Sequence, residues 1–286
     1  MKAAAFDYTR ASSVEQAIDL LREHAPSAQI LAGGQSLMAM MNLRLAQPGI
    51  LIDIGGIQAL KSIAVQGKVL RIGALVTHHA VMQSDLVAKH VPLLAQAVPH
   101  VAHLAIRNVG TIGGSLALAD PAAEYPAVAL ALKATIVAQG PKGERRIGIN
   151  DYFQGLYQTA LQSDELLVAI EFPLAESGQV FHFDELSRRR GDYAMVGLAC
   201  ALRMQGQQVQ EVRLAYLAVG DGPVLAKAAM DRLQGQTLDA ASIQAAQQAL
   251  ATDLHPNGDL QADAATKVHL ARVLLGRALQ AMRSAS

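Results

Sequence analysis

Cysteine is almost absent from this sequence, which has only Cys200 among its 286 residues. A single cysteine excludes a disulfide framework, a zinc site with several cysteine ligands and an iron–sulfur cluster held by this chain alone. Tryptophan is absent, and charged residues make up only 17% of the chain. Basic and acidic residues number 24 each. This balance disfavours nucleic acids and anionic membranes as partners, because both select proteins with a basic excess.

Long apolar runs are also missing, and none approaches the roughly 20 residues that a membrane-spanning helix needs. The first residues become polar too soon for a secretory signal peptide. With few cysteines and neither targeting feature, we expect a cytoplasmic protein. Hydrophobic residues make up 51% of the chain. A sizeable core is therefore expected and disorder is not.

Two glycine pairs lie between apolar segments, each beside a residue with a hydroxyl group. The first is Ala32-Gly33-Gly34-Gln35-Ser36 and the second is Thr111-Ile112-Gly113-Gly114-Ser115. Glycine lets backbone N–H groups approach an anion closely, and a hydroxyl adds one more donor. Together the pairs predict two walls that close on one extended, phosphate-bearing ligand. Neither matches the G-x-G-x-x-G or Walker A patterns, and either pair alone is also compatible with a tight strand-to-helix turn.

Apolar periodicity predicts an α+β chain of two domains. Residues 1–176 form a two-part domain, with a small parallel βαβ unit over about 1–56 and a mixed sheet with helices over 57–176. The boundary is expected at Pro173–Gly178, where proline, serine and glycine cluster. Residues 177–286 are predicted to form an antiparallel meander followed by three helices. The expected strands are Val180–Leu186, Met195–Met204 and Val209–Val219, and the expected helices are near 223–233, 238–251 and 262–283.

The second glycine pair belongs to a longer pattern that starts at Arg107 and is followed by Asp120-Pro121-Ala122-Ala123-Glu124. With the A-G-G-x-S turn and the Arg189–Ala194 segment, this pattern resembles the flavoprotein (medium) subunit of the molybdenum hydroxylases, the family of carbon monoxide dehydrogenase and xanthine dehydrogenase. The resemblance covers nearly the whole chain. Ser115 departs from it, because the family usually has Asn or Asp there. The lone cysteine excludes the benzoyl-CoA-reducing branch, which carries a four-cysteine cluster loop in this subunit.

The resemblance implies that this chain binds FAD without a covalent link. It places both glycine turns on the pyrophosphate and ribityl regions, mainly through backbone amides. It also places Leu167 near the adenine, Glu124 at ribityl or ribose hydroxyls and Tyr193 against the isoalloxazine ring. No acid–base residue is assigned, since the cofactor supplies the redox chemistry. The implied cofactor-binding residues are Leu31, Ala32, Gly33, Gly34, Gln35, Ser36, Leu37, Val101, Thr111, Gly113, Gly114, Ser115, Glu124, Leu167 and Tyr193.

The family assembly implies two partners, a large molybdenum-binding subunit and a small subunit with two 2Fe–2S clusters, arranged as a dimer of heterotrimers. Electrons from hydroxylation would pass through the clusters to FAD and then to an external acceptor. Two other classes stay open: a free-standing FAD-dependent oxidoreductase that acts directly on a small substrate, and a scaffold subunit that has lost its cofactor. The sequence does not indicate the substrate or the terminal acceptor.

Other residues that could carry chemistry have simpler interpretations. His78-His79 and His100-x-x-His103 lack the carboxylate–histidine pattern of common metal sites. We interpret them as helix-start or surface residues and predict no metal. Cys200 lies in an apolar stretch and is expected to be a buried spectator.

Overall fold

The N-terminal unit is a small parallel sheet with the strand order β1-β3-β2. The computed structural model describes residues 2–285 of the chain. Val14, Ala17, Ile18 and Leu21 are buried along one side of the first helix, as the apolar spacing predicts. The Ser13 hydroxyl caps that helix by accepting a 3.2 Å hydrogen bond from the Gln16 N–H. The elements are β1 Asp7–Arg10, α1 Val14–His24, β2 Ala28–Leu31, α2 Leu37–Asn42 and β3 Ile50–Asp53.

A second sheet has the strand order β4-β5-β10-β6-β7. Every neighbouring pair in it is antiparallel, which corrects the expectation of a mixed sheet. The reason is that β4–β5 and β6–β7 are hairpins, and β10 enters between their inner strands with the opposite direction. The strands are β4 Ile63–Gln66, β5 Val69–Gly73, β6 Thr135–Gly140, β7 Gly143–Gly148 and β10 Leu166–Pro173, with a small separate ribbon of β8 Phe153–Gly155 and β9 Gln158–Thr159.

Short helices fill the connection between β5 and β6 and carry much of the candidate site. Thr77 caps the first of them by accepting a 3.1 Å hydrogen bond from the Ala80 N–H. A short 3-10 helix follows at Val98–His100. The helices are α3 His78–Met82, α4 Asp85–His90, α5 Pro92–Ala97, α6 Leu104–Arg107, α7 Ile112–Leu118 and α8 Glu124–Ala131.

The C-terminal part is an antiparallel sheet, β11-β12-β13-β14, followed by three helices. One face of this sheet joins the core around α5 and α8, and the other packs under the C-terminal helices. Cys200 is fully buried there, and its Sγ lies 3.5 Å from the Met282 Sδ. The elements are β11 Gln179–Leu186, β12 Val196–Gln205, β13 Gln208–Leu217, β14 Val224–Leu225, α9 Lys227–Leu233, α10 Ala240–Asp253 and α11 Ala264–Ala285.

This architecture confirms the α+β class and the predicted meander with three helices. The expected burial of Cys200 is confirmed as well. Within residues 2–285, no helix combines the length and the apolar character required to span a membrane.

Candidate functional site

The two glycine segments meet in the fold although they are far apart in the sequence. Gly33 lies directly against the backbone that leads into the second segment, since a Cβ atom at position 33 would be 2.8 Å from the Gly110 Cα. A Cβ atom at Gly114 would lie 3.9 Å from the Ala32 Cβ. The geometry therefore brings the segments together at one groove, as the paired motifs predict.

The first segment presents a row of unpaired backbone donors. Gly34 has a left-handed conformation, with φ of +68°, which turns the chain from β2 toward α2. The backbone N–H groups of residues 33–37 have no acceptor in the part of the chain that the structure describes. The Ser36 side chain makes no capping bond to α2. Consecutive free N–H groups around a left-handed residue form a concave anion-binding arrangement.

The second segment is built differently, because its glycines lie in the first turn of α7. The N–H groups of Ile112 and Gly113 donate to the carbonyl groups of Val76 and Ala74, both at 3.0 Å. The Gly114 N–H donates to the Thr111 Oγ1 at 3.1 Å, and the Ser115 N–H donates to the Thr111 carbonyl at 3.1 Å. The amides of residues 112–115 are therefore occupied, and this segment offers the hydroxyl groups of Thr111 and Ser115 rather than the free amides that the family resemblance implies.

A cavity of about 330 Å³ opens beside the two segments and reaches Leu167. Its walls include Ala32, Gly113 and Gly114. They also include the segment formed by residues 159–163, which sequence analysis did not assign to the site. Arg145 holds this segment by donating to Ala160 O at 2.8 Å and by pairing with both Glu165 oxygens at 2.6 and 2.7 Å. No motif marks residues 159–163, so only the fold reveals their place.

Glu124 and Tyr193 belong to a second group of residues, in which the Glu124 charge acts on the Tyr193 hydroxyl. The Tyr193 loop packs on the chain after Val101, since a Cβ atom at Gly191 would be 2.9 Å from the Ala102 carbonyl oxygen. Tyr193 itself is 60% exposed, which is unusual for a large aromatic side chain. Partial desolvation and the neighbouring Asp120 carboxylate raise the pKa of Tyr193 to about 12. Its phenol therefore stays protonated at neutral pH.

Asp120 is a site residue that sequence analysis quoted in the motif but did not select. Its side chain is buried and accepts a 2.9 Å bond from the Ala122 N–H. The carbonyl of the next residue, Pro121, accepts a 2.8 Å bond from the Ala218 N–H. The Asp-Pro turn is therefore tied to the C-terminal sheet, which fixes Asp120 beside Tyr193.

Two titratable groups, Glu124 and His78, have strongly altered acidity. Burial, with the nearby Glu185 carboxylate, raises the pKa of Glu124 to about 8. Burial, with the positive charge of Arg107, lowers the pKa of His78 to about 4. His78 begins α3, as the helix-start interpretation predicts, but it is a neutral, buried side chain 3.0 Å from the Tyr125 hydroxyl and not a surface residue. Among the described residues, no three His, Cys, Asp or Glu side chains are grouped to hold a metal.

A larger cavity of about 550 Å³ lies elsewhere, between the start of α1 and the second sheet. None of the predicted site residues lines it. Two of its charged side chains are engaged with each other, since Arg71 pairs with Glu144 at 3.0 Å. Size alone therefore does not identify the site, and the smaller cavity is favoured because Ala32, Gly113 and Gly114 of the two glycine segments line it.

The residues at the groove fit FAD. The free N–H groups of residues 33–37 suit a diphosphate, and no side chain at Gly33 or Gly34 hinders its approach. The cavity at Leu167 suits an apolar ring, and the exposed ring of Tyr193 is available for stacking. Such a ligand is long, has two rings and carries negative charge in its middle.

Comparison with known proteins defines the class. Residues 4–175 match the FAD binding domain in molybdopterin dehydrogenase, and residues 181–282 match the CO dehydrogenase flavoprotein C-terminal domain. The chain therefore belongs to the family of FAD-binding medium subunits of the molybdenum hydroxylases, and the predicted family is confirmed.

Individual relatives match over almost their full length. The chain is 36% identical to the carbon monoxide dehydrogenase medium chain of Hydrogenophaga pseudoflava, over 96% of either protein. It is 37% identical to the nicotine 6-hydroxylase medium subunit of Paenarthrobacter nicotinovorans, over 98% of either protein. Among solved structures, carbon monoxide dehydrogenase from H. pseudoflava gives a TM-score of 0.97 at 36% identity, over 99% of both chains. Quinoline 2-oxidoreductase from Pseudomonas putida 86 gives 0.95 at 36% identity, over 100% of this chain and 99% of the other. These relatives are oxidoreductase subunits.

Proposed function

We propose that this chain is the electron-transfer flavoprotein of a heterotrimeric molybdenum hydroxylase. In this proposal a large partner carries the molybdenum cofactor and a small partner carries two 2Fe–2S clusters. Electrons reach FAD from the small partner and leave to an external acceptor. The assembly would be a cytoplasmic dimer of heterotrimers. The observation that carries the proposal is the row of free amides at residues 33–37, facing the second glycine segment in one groove.

Each part of the groove then has a role toward FAD. Residues 31–37 bind the diphosphate, Ser36, Thr111 and Ser115 add hydroxyl donors, and Gly113 and Gly114 form the wall beside them. Leu167 contacts the adenine. Val101, Glu124 and Tyr193 lie along the ribityl chain and the isoalloxazine ring. When bound, FAD supplies the redox chemistry that connects one-electron clusters to a two-electron acceptor.

The proposal also divides the chain into an FAD-binding domain at 1–176, with sub-units of about 1–56 and 57–176, and a C-terminal domain at 177–286. Residues 174–178 join β10 to β11 without belonging to either strand, which supports a boundary there. Backbone contacts such as Ala218 to Pro121 give the C-terminal domain a direct influence on the groove.

An absorption spectrum of the purified chain tests the function. Flavin bands, with turnover only after both partners are added, support the proposal. Flavin bands with turnover of a small substrate by the lone chain would instead indicate a free-standing oxidoreductase. A chain that neither contains FAD nor takes it up would be a scaffold.

A further inference from the structure

One wall of the cavity at Leu167 is formed by an irregular loop, residues 160–165, which joins β9 to β10. Leu161, Gln162 and Glu165 of this β9–β10 loop line the cavity, and both glycine segments line it as well. The position of the loop therefore decides the shape of the space in which a ring of the ligand would lie.

Few hydrogen bonds tie the β9–β10 loop to the rest of the protein. The Ala160 N–H donates to the Tyr152 carbonyl at 2.8 Å, and the Ala160 carbonyl accepts a 2.8 Å bond from the Arg145 Nη2. Apart from the bonds between Arg145 and Glu165, the other hydrogen bonds of the loop in the described part of the chain stay within residues 159–165. Arg145 is therefore the side chain outside the loop that holds it through polar contacts.

Arg145 holds the far end of the loop through a paired contact with Glu165. Arg145 lies on β7 and reaches across β6, the strand between β7 and β10. Its Nε and Nη2 donate to the two Glu165 oxygens at 2.6 and 2.7 Å. The Glu165 Oε2 also accepts a 2.8 Å bond from the Gln162 N–H, which extends the contact to the middle of the loop. Two parallel bonds between a guanidinium and a carboxylate are strong and specific in geometry.

The surroundings favour the charged pair. Hydrogen bonds from Arg145 hold the pKa of Glu165 below its ordinary value, so both groups are charged at neutral pH. Gly140 leaves room for the carboxylate, since a Cβ atom there would lie 3.0 Å from the Glu165 Cγ. Leu161 gives the loop an apolar contact, because it is partly buried against the core. Loss of the pair should therefore loosen the loop without detaching it.

We infer that Arg145 and Glu165 form a latch that keeps the β9–β10 loop closed along the cavity and thereby helps the protein to retain a dinucleotide. The inference rests on the proposed function, in which FAD is bound and Leu167 contacts its adenine. A wall that is already in place spares the ligand the free-energy cost of ordering it. Arg145 does not line the cavity. It is a positioning residue that acts through Glu165 and the loop.

Binding of FAD and of ADP to the apoprotein, measured by equilibrium dialysis, tests the latch. Arg145→Gln and Glu165→Gln should each lower both affinities by roughly 3- to 10-fold, as expected when the ligand must order part of the wall itself. ADP should respond like FAD because it has the adenine and the diphosphate but lacks the isoalloxazine ring. The double variant should lose no more than either single variant, since the two side chains act as one unit.

Arg146→Gln is the matched control. Arg146 is the next residue on β7, and it makes a similar paired contact with Glu171, with both bonds at 3.1 Å. Neither Arg146 nor Glu171 lines the cavity, so this variant should bind FAD and ADP as the wild type does. An equal loss of affinity in Arg146→Gln would overturn the inference. Unchanged FAD affinity in the latch variants, a loss for FAD without a loss for ADP, or additive losses in the double variant would overturn it as well.

Hydrogen exchange in the apoprotein tests the latch without any ligand. The amide hydrogens of residues 160–165 should exchange faster in Arg145→Gln and in Glu165→Gln than in the wild type or in Arg146→Gln. Equal exchange in all four proteins would show that the pair does not hold the loop. If the loop loosens as expected but the wild-type chain binds no FAD, the latch is supported and the proposed function is contradicted.

Discussion

Gly33 and Val109 touch through their backbones, so closely that a Cβ atom at position 33 would overlap the Val109 carbonyl oxygen. This contact sets the distance between the segment with free amides and the segment that begins α7. The groove for a dinucleotide therefore depends on a residue without a side chain at position 33. Gly33 also contributes one of the unpaired N–H groups.

Gly33→Ala should lower the affinity for FAD by at least about tenfold, which corresponds to about 1.4 kcal/mol. The new methyl group must push the two segments apart, and backbone atoms cannot move aside as a flexible side chain does. Titration of the apoprotein with FAD, followed by flavin fluorescence, measures the effect. Gly148→Ala is the control, because its Cβ would meet only the Asp151 Oδ2, at 3.7 Å. Equal FAD affinity in both variants would refute the role of this contact.

Thr111→Val should destabilise the protein by about 1 kcal/mol, the usual cost of removing a helix N-cap. The variant keeps the size of the side chain but removes the oxygen that accepts the Gly114 N–H. Urea unfolding measures the difference. Thr111→Ser retains the oxygen and should stay within a few tenths of a kcal/mol of the wild type. If the valine variant is as stable as the serine variant, the cap does not contribute.

Tyr193→Ala should weaken FAD binding by roughly 2- to 10-fold, the range expected for loss of one aromatic pair worth about 0.5–1.5 kcal/mol. Tyr193→Phe should bind FAD almost as the wild type does, because the ring remains. Titration of each apoprotein with FAD measures the two affinities. Similar losses in both variants would show that the hydroxyl group, rather than the ring, is the important feature.

Stability of the apoprotein should depend on pH in two opposite ways. Because the pKa of Glu124 is raised, the folded chain binds more protons than the unfolded chain between about pH 4.5 and pH 8. Stability therefore falls as the pH rises through that range. The lowered pKa of His78 means that stability rises with pH between about 4 and 6.5. Between pH 6.5 and 8 only the Glu124 contribution varies, and the free energy of unfolding should fall by about 1–2 kcal/mol.

Urea unfolding at several pH values tests this expectation. Glu124→Gln should abolish the decline between pH 6.5 and 8, because glutamine does not titrate. Glu23→Gln should leave the decline unchanged, since Glu23 is exposed on α1. If the free energy of unfolding still falls between pH 6.5 and 8 in Glu124→Gln, another titrating group causes the decline.

Local sequence patterns were sufficient for much of this fold. The i, i+3, i+4 spacing from Val14 to Leu21 predicts the buried face of α1 correctly, and the Gln66-Gly67-Lys68 turn predicts the β4–β5 hairpin. The antiparallel pairing of β10 with β5 and β6 was not predictable, because strand direction within a sheet depends on contacts between residues distant in the sequence. Local glycine spacing likewise could not show that the Gly113 amide is occupied by Ala74.

The candidate site likewise has a part that the sequence could predict and a part that it could not. Glycines and a nearby hydroxyl are visible as a motif, so the convergence of Gly33 and Gly114 on one groove was predictable. The 159–163 wall of the cavity has no distinctive residues, and Arg145 pairs with Glu165 across an intervening strand, β6. Such contacts arise only from the three-dimensional arrangement.

Cys200 has a practical consequence for measurements on the assembled complex. Its burial raises the thiol pKa and keeps the sulfur from reagents in solvent. A cysteine introduced on an exposed helix would then be the reactive thiol of this chain, without prior removal of the native one. If the proposed partners are present, spin labels attached there would allow electron paramagnetic resonance to measure how far this chain lies from their paramagnetic metal centres.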